Sequence, residues 1–188
     1  MRKLIVFNHV SLDGYFVDAH GGFRWAQAGS DDPEFAAFVA ENAGGGGQLL
    51  FGRLTYELMA SYWPTALAAQ HNPAVAQGMN NMAKVVFSTT LDEATWNNTR
   101  LVKGNLVAEV RKMKEEPGPG MAILGSGSIV AQLALERLID EYQIVVNPVA
   151  LGKGRTLFDG IPEPLPLQLA RTRVFKNGKV YLCYEPVA

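Results

Sequence analysis

Met121-Ala122-Ile123-Leu124-Gly125-Ser126-Gly127-Ser128 is the stretch whose reading decides the fold. Four apolar residues form a short buried strand, four small residues make a turn, and the apolar-rich run 129–137 continues as a helix. The same grammar recurs outward from it. Residues 3–10 form a β-branched and aromatic run that suits a central strand buried on both faces. Residues 48–51 form a strand that enters the turn Gly52-Arg53-Leu54-Thr55. Residues 84–88 and 140–146 are two more strands, and residues 105–116 are an amphipathic helix closed by Pro117-Gly118-Pro119-Gly120. A helix is expected near 73–82. Another starts at Asp31-Asp32-Pro33-Glu34, where acids and a proline favour the first turn, and Phe35, Phe38 and Val39 give it an apolar face. Asn177-Gly178 between two alternating runs marks a C-terminal hairpin. The expected architecture is an α/β three-layer fold. Its sheet is mixed and mostly parallel, with helices on both faces and an antiparallel hairpin at the C-terminal end.

A chain of 188 residues, 48% hydrophobic, suits one globular domain over 1–188. The run Gly44-Gly45-Gly46-Gly47 could suggest a linker, but the segment before it is too short to be a domain. A net charge of −1 without a run of Lys and Arg argues against nucleic acid as a partner. The apolar start ends at Asn8-His9, too short for a signal peptide or a membrane span, so the expectation is a cytoplasmic protein without a membrane partner. The single cysteine, Cys183, excludes an internal disulfide and a Cys-rich metal site, and its strand-like surroundings suit a buried structural thiol. No metal is expected.

In an open α/β sheet, ligands bind outside the carboxyl ends of the strands. Three of those ends carry small or phosphate-friendly groups. Gly52-Arg53-x-Thr55 combines close backbone approach, a helix N-terminus, a guanidinium and a hydroxyl. Gly125-Ser126-Gly127-Ser128 offers backbone N–H groups at a second helix start. It is neither the dinucleotide G-x-G-x-x-G pattern, because Val130 holds the last position, nor a P-loop. Ser88-Thr89-Thr90 either binds a phosphate or caps the next segment.

Four segments together resemble the dihydrofolate-reductase-like superfamily: Asn8-His9-Val10-Ser11-Leu12-Asp13-Gly14-Tyr15, the Gly52 turn, the Gly125 turn, and Asn147-Pro148-Val149-x-Leu151-Gly152-x-Gly154-x-x-Leu157-Phe158. The first and last are similar to the reductase domain of the bifunctional riboflavin deaminase–reductase and its stand-alone relatives. The resemblance implies an NADPH-dependent reductase like 5-amino-6-(5-phosphoribosylamino)uracil reductase, acting on a small pyrimidine, pteridine-like or ribosylamino substrate, and forming a homodimer. It implies that Gly52, Arg53 and Thr55 contact the cofactor phosphates, with Arg53 near the adenosine 2′-phosphate. Ser88 and Thr89 would lie along the adenosine ribose phosphate, and Gly125, Ser126, Gly127, Ser128 and Ile129 would cradle the pyrophosphate. Asn8 and His9 would sit beside the nicotinamide, under a loop running from Asp13 to Trp25.

The chain also departs from these families. Dihydrofolate reductases hold a carboxylate at the start of the first helix; Asp31, Asp32 and Glu34 are candidates, with Asp32 taken as the catalytic acid, or else each simply favours the helix N-terminus. The run 35–41 has no Arg or Lys for a ribose phosphate. One cysteine cannot build the deaminase zinc signature. His9 is either the proton donor or a satisfied core histidine. Asp13 and Trp25 are assigned to the substrate, although Trp25 could instead pin its loop. Lys153 and Arg155 either hold a substrate anion or form a solvated loop. Dihydrofolate reductase activity is the alternative within the class. A non-catalytic nucleotide-binding protein and a structural dimer module are the alternatives outside it.

Overall fold

The computed structural model describes residues 1–27 and 31–187. Ten strands and six α-helices follow in chain order: β1 Leu4–Ser11, β2 Tyr15–Asp18, α1 Pro33–Gly44, β3 Gln48–Gly52, α2 Arg53–Tyr62, α3 Ala66–His71, α4 Pro73–Asn81, β4 Ala83–Phe87, β5 Thr99–Val102, α5 Leu106–Glu115, β6 Met121–Leu124, α6 Gly127–Leu135, β7 Glu141–Asn147, β8 Gly154–Thr156, β9 Leu167–Val174 and β10 Val180–Pro186. Eight strands form one sheet in the order β5-β4-β3-β6-β1-β7-β10-β9. It is parallel from β5 to β7, and β10 runs antiparallel to both of its neighbours. The fold is therefore the expected α/β one, with helices on both faces and an antiparallel end.

Three elements were not legible. The glycine-rich stretch read as a loop contains β2, which pairs with β8 as a separate two-stranded ribbon; Gly29, its last glycine, lies outside the described residues. Strand β5 adds a parallel edge beyond β4. Between β3 and β4 the chain forms a further helix, α3, between the one expected after Gly52 and the one expected near 73–82. The hairpin at Asn177-Gly178 is correct, but its turn runs from Phe175 to Gly178. The Gly178 N–H donates to the Phe175 carbonyl (3.0 Å), and Gly178 itself takes φ +82°. Such a turn followed by a left-handed glycine is the three-residue hairpin connection.

The sheet is packed differently on its two faces. On one face Leu4 and Val6 of β1, Leu50 of β3, Ile123 of β6 and Tyr142 of β7 pack under α5 and α6 as one continuous core. On the other face the alternate residues make two separate cores. Leu49, Phe51 and Val86 pack with Tyr56 of α2 and Met79 of α4. Val145, Tyr181 and Cys183 pack with Phe35 of α1 and Phe175. Cys183 is fully buried, as expected of a structural thiol. Among the described residues no helix is long and apolar enough to cross a membrane, and no group of three or more His, Cys, Asp or Glu could hold a metal ion.

Candidate active site

Strands β3 and β6 are neighbours, so the helices that follow them, α2 and α6, begin side by side. Neither N-cap, Gly52 or Ser126, caps its helix with a side-chain hydrogen bond. The first N–H groups of a helix have no partner within it, and these two helices leave theirs facing a common space. The turns are locked to one another instead. The Gly52 N–H donates to Ser126 Oγ (2.7 Å), the Ser126 N–H to Thr55 Oγ1 (3.1 Å), and the Gly125 N–H to Asn8 Oδ1 (2.7 Å). Gly125 has φ +60°, and a Cβ there would stand 2.7 Å from Thr55. Ser126 is also left-handed, at φ 57°. Backbone strain of this kind persists only where surroundings fix it, and it concentrates at functional sites.

These turns wall a polar cavity of about 350 Å³, lined by Gly52, Arg53, Thr55, Ser126, Gly127 and Ser128, with Arg155 and Asp159 at its side. Arg155 is thus part of the site, whereas Lys153 lines neither this cavity nor the cleft below. Arg53 pairs with Glu57 one helical turn on, at 3.1 Å. An exposed pair of this spacing contributes only about 0.3–0.5 kcal/mol, so the guanidinium is easily redirected to an anion.

Thr55, Leu58, Phe16 and Val17 also line a second space, an apolar cleft of about 410 Å³. It lies in the gap between the two cores of the split face. Ile5, Phe7 and His9 of β1 alternate along one side, Ala122 and Leu124 of β6 are central, and Val39 of α1 and Met79 of α4 belong to the opposing helices. The partial exposure of Ile5, Phe7 and His9 in an otherwise buried central strand follows from this gap.

Asn8 lines the cleft beside the Gly125 turn. It is 7% exposed, its Oδ1 holds the Gly125 turn, and its Nδ2 is buried with no hydrogen-bond partner. A buried unpaired amide costs about 1–3 kcal/mol, so the group is suited to a ligand acceptor.

His9 lines the cleft. Burial, and then the charge of Lys179, lower its pKa to about 4, so at neutral pH the ring is uncharged. Lys179 is 1% exposed, and its ammonium donates to the Ala26 carbonyl and to Asn147 Oδ1. An ammonium only donates, so the Asn147 atom beside it is oxygen. The Asn147 atom 3.4 Å from His9 Nδ1 is therefore the NH₂ group. That NH₂ group gives its two protons to the Val10 and Val145 carbonyls (3.0 Å each) and accepts nothing, so a proton on Nδ1 would face it unpaired, and the ring proton is assigned to Nε2. At neutral pH His9 therefore offers a neutral N–H donor.

The assignment of Asp32 as an acid is corrected. Oδ1 accepts from the Glu34 and Phe35 N–H groups (2.9 and 3.4 Å), and Oδ2 from the Asn177 N–H (3.0 Å). Burial alone would raise its pKa, but these backbone donors outweigh it and hold the carboxyl below the usual range. Asp32 caps α1 and clips it to the hairpin, and it lines neither space. Asp13 is held at about 2, first by the Ser11 hydroxyl and then by the Leu151 and Gly152 N–H groups. It ties the β1–β2 turn to the loop after β7 and lines neither space. Trp25 donates to the Gly22 carbonyl (3.3 Å) and pins its own loop; Phe23 lines the cleft in its place. Ser88 Oγ caps Thr90 and Leu91, and neither Ser88 nor Thr89 lines either space. Ile129 packs in the core behind the α6 turn.

Sequence reasoning missed the chain Lys179–Asn147–His9. Nothing in the spacing of 9, 147 and 179 signals it, because it exists only once β7 pairs with β1 and β10.

The match to a family model covers residues 2–181, and the model is that of the RibD C-terminal domain. The chain belongs to the RibD C-terminal domain family. Among similar proteins, the uncharacterized protein YyaP of Bacillus subtilis is 27% identical over 184 residues, which span 98% of this chain and 95% of that protein. Among solved structures, a protein named for a proposed part in riboflavin biosynthesis, from Shewanella sp. PV-4, superposes with a TM-score of 0.70 at 24% identity and 99% coverage of both chains. The dihydrofolate reductase of Enterococcus faecalis, in complex with NADP(H) and RAB-propyl, gives a TM-score of 0.67 at 16% identity over 99% of this chain and 97% of that one. This RibD C-terminal domain thus has the dihydrofolate-reductase fold.

Proposed function

We propose that the protein is an NADPH-dependent reductase of a small molecule. The observation that carries this reading is the convergence of two uncapped helix N-termini, α2 and α6, with Arg53 and Arg155 on one polar cavity that opens past Thr55 into an apolar cleft. A dinucleotide needs that sequence of environments: an anion site for its phosphates, then a dry slot for its ring. Family membership supports a reductase, and the Enterococcus neighbour was solved with NADP(H).

The residues fit the cofactor. Gly127 and Ser128 would hold phosphate oxygens through backbone N–H groups, and the arginines would neutralise their charge. Asn8 would give its unpaired Nδ2 to a carbonyl acceptor such as a carboxamide. When bound, the cofactor supplies a hydride, and the protein's part is orientation and exclusion of water. Phe16 and Val17, on the ribbon strand β2, close the junction between cavity and cleft. With Asp32 committed to a cap and His9 neutral, the proton comes from water.

Tryptophan-fluorescence titrations with NADPH and NADH test this. NADPH is expected to bind at least about tenfold more tightly, a difference of about 1.4 kcal/mol, and Arg53→Ala to erase most of that preference. No binding of either nucleotide at millimolar concentration overturns the reading.

A further inference from the structure

We infer that the substrate of this cleft is neutral and largely apolar, a flat ring system with one carbonyl-type acceptor, and carries neither a phosphate nor a protonated amidine. The inference rests on the reductase reading and names the substrate class for it.

The charges around the cleft decide the matter. Among the described residues that line it there is no Asp or Glu, and the sole cation is Lys3. Lys3 is already bound to Glu141 (2.7 Å), which Arg171 also holds (2.8 Å). The undescribed residues Ala28, Gly29, Ser30 and Ala188 have no ionisable side chains. A phosphate brought here would lose its water and meet no free cation, and a diaminopyrimidine cation would meet no carboxylate. Either burial is strongly unfavourable.

The polar side chains of the cleft are mostly engaged elsewhere. Thr55 holds the Ser126 turn, and Gln143 donates to Glu141 (3.0 Å). Asn8 is spoken for by the cofactor in the reading above. His9, with its proton on Nε2, and the exposed Asn42 of α1 remain, so the side-chain donors that the cleft offers a substrate are neutral, set among Ile5, Phe7, Val39, Leu49 and Met79.

Lys179 adds direction. It does not line the cleft, but its ammonium lies over the Phe35 ring (5.2 Å to the centroid) and acts on His9. It makes this end of the cleft positive without giving an anion anything to pair with. That suits an acceptor oxygen that gains charge during reduction. The balance is simple: a hydride adds to the carbonyl carbon, the C=O π pair moves to oxygen, and oxygen takes a proton from water. The oxidised nicotinamide is the other product.

Isothermal titration with three bicycles of similar size tests the inference: 2-acetylnaphthalene, 2-naphthyl phosphate and 2,4-diaminoquinazoline, each with and without saturating NADPH. The ketone is expected to bind at least about tenfold more tightly than either charged probe. Val39→Lys puts a cation on the half-exposed α1 side of the cleft and should shift the ketone-to-phosphate preference by about tenfold toward phosphate. Ala122→Leu fills the cleft and should weaken the ketone alone. Equal or tighter binding of the phosphate or the diaminoquinazoline to the native protein overturns the inference, as does absence of ketone binding. If NADPH binds normally while the ketone fails, this inference falls alone. If NADPH fails, the reductase reading falls, and ketone binding without cofactor still tests the chemistry of the cleft.

Discussion

The two faces of the central sheet are built from the same alternating strands, yet one is closed and the other is split. Under α5 and α6 the side chains of β1, β3, β6 and β7 merge into a single core, with Leu4, Val6, Leu50 and Ile123 fully buried. Under α1, α2 and α4 the side chains one step along each strand divide into two cores, and the gap between them is the cleft. The difference teaches where stability and binding are kept. Burial of apolar surface on the closed face holds the strands in register, so β1 and β6 can leave Ile5, Phe7, Ala122 and Leu124 half covered on the other.

The largest test of this comparison is a matched pair of truncations. Leu133→Ala on the closed face should cost about 3 kcal/mol, in the range for buried leucines. Ile5→Ala in the cleft should cost less than about 1.5 kcal/mol, because the side chain is already partly exposed. Urea denaturation reads both, and equal losses would dissolve the distinction. Next in size is Gly125→Ala. Its Cβ would meet Thr55 at 2.7 Å in a left-handed backbone, so a loss of about 1–2 kcal/mol is expected, together with weaker nucleotide binding.

A further effect concerns pH. Unfolded His9 titrates near 6.5, whereas the folded protein holds it unprotonated down to about 4. Between those values the unfolded chain binds more protons, so stability falls as pH drops through that window. His9→Asn should flatten that part of the stability profile, and a profile that keeps its slope would show that His9 is not the group responsible. Smallest in stability is Arg53→Ala. Losing the exposed pair with Glu57 should change the unfolding free energy by less than about 0.5 kcal/mol, while NADPH affinity falls. A large loss of stability would mean that Arg53 is structural.

The sequence made the sheet legible because its strands are buried runs ended by small residues, and because Asn177-Gly178 marks its hairpin. The ribbon of β2 and β8 was not legible. Its strands are four and three residues long and pair across the molecule, joined by turns that Asp13 holds together. The Gly52 and Gly125 turns were readable as anion sites, and the structure brings both to one cavity. Asp32 was misread because a carboxylate before Pro33 is equally a cap and an acid in sequence; only the third backbone donor, from Asn177, separates the two. The neutral state of His9 was not legible because it comes from burial and from Lys179, a residue 170 positions away in the chain.

The account depends most on the claim that the two helix N-termini bind the cofactor's phosphates. Amide chemical-shift mapping with NADPH tests it most directly. The account predicts the largest shifts at Arg53, Leu54, Gly127 and Ser128, a smaller set at Asn8 and His9, and little change across α5. Saturable binding with shifts that leave those four amides untouched would contradict it.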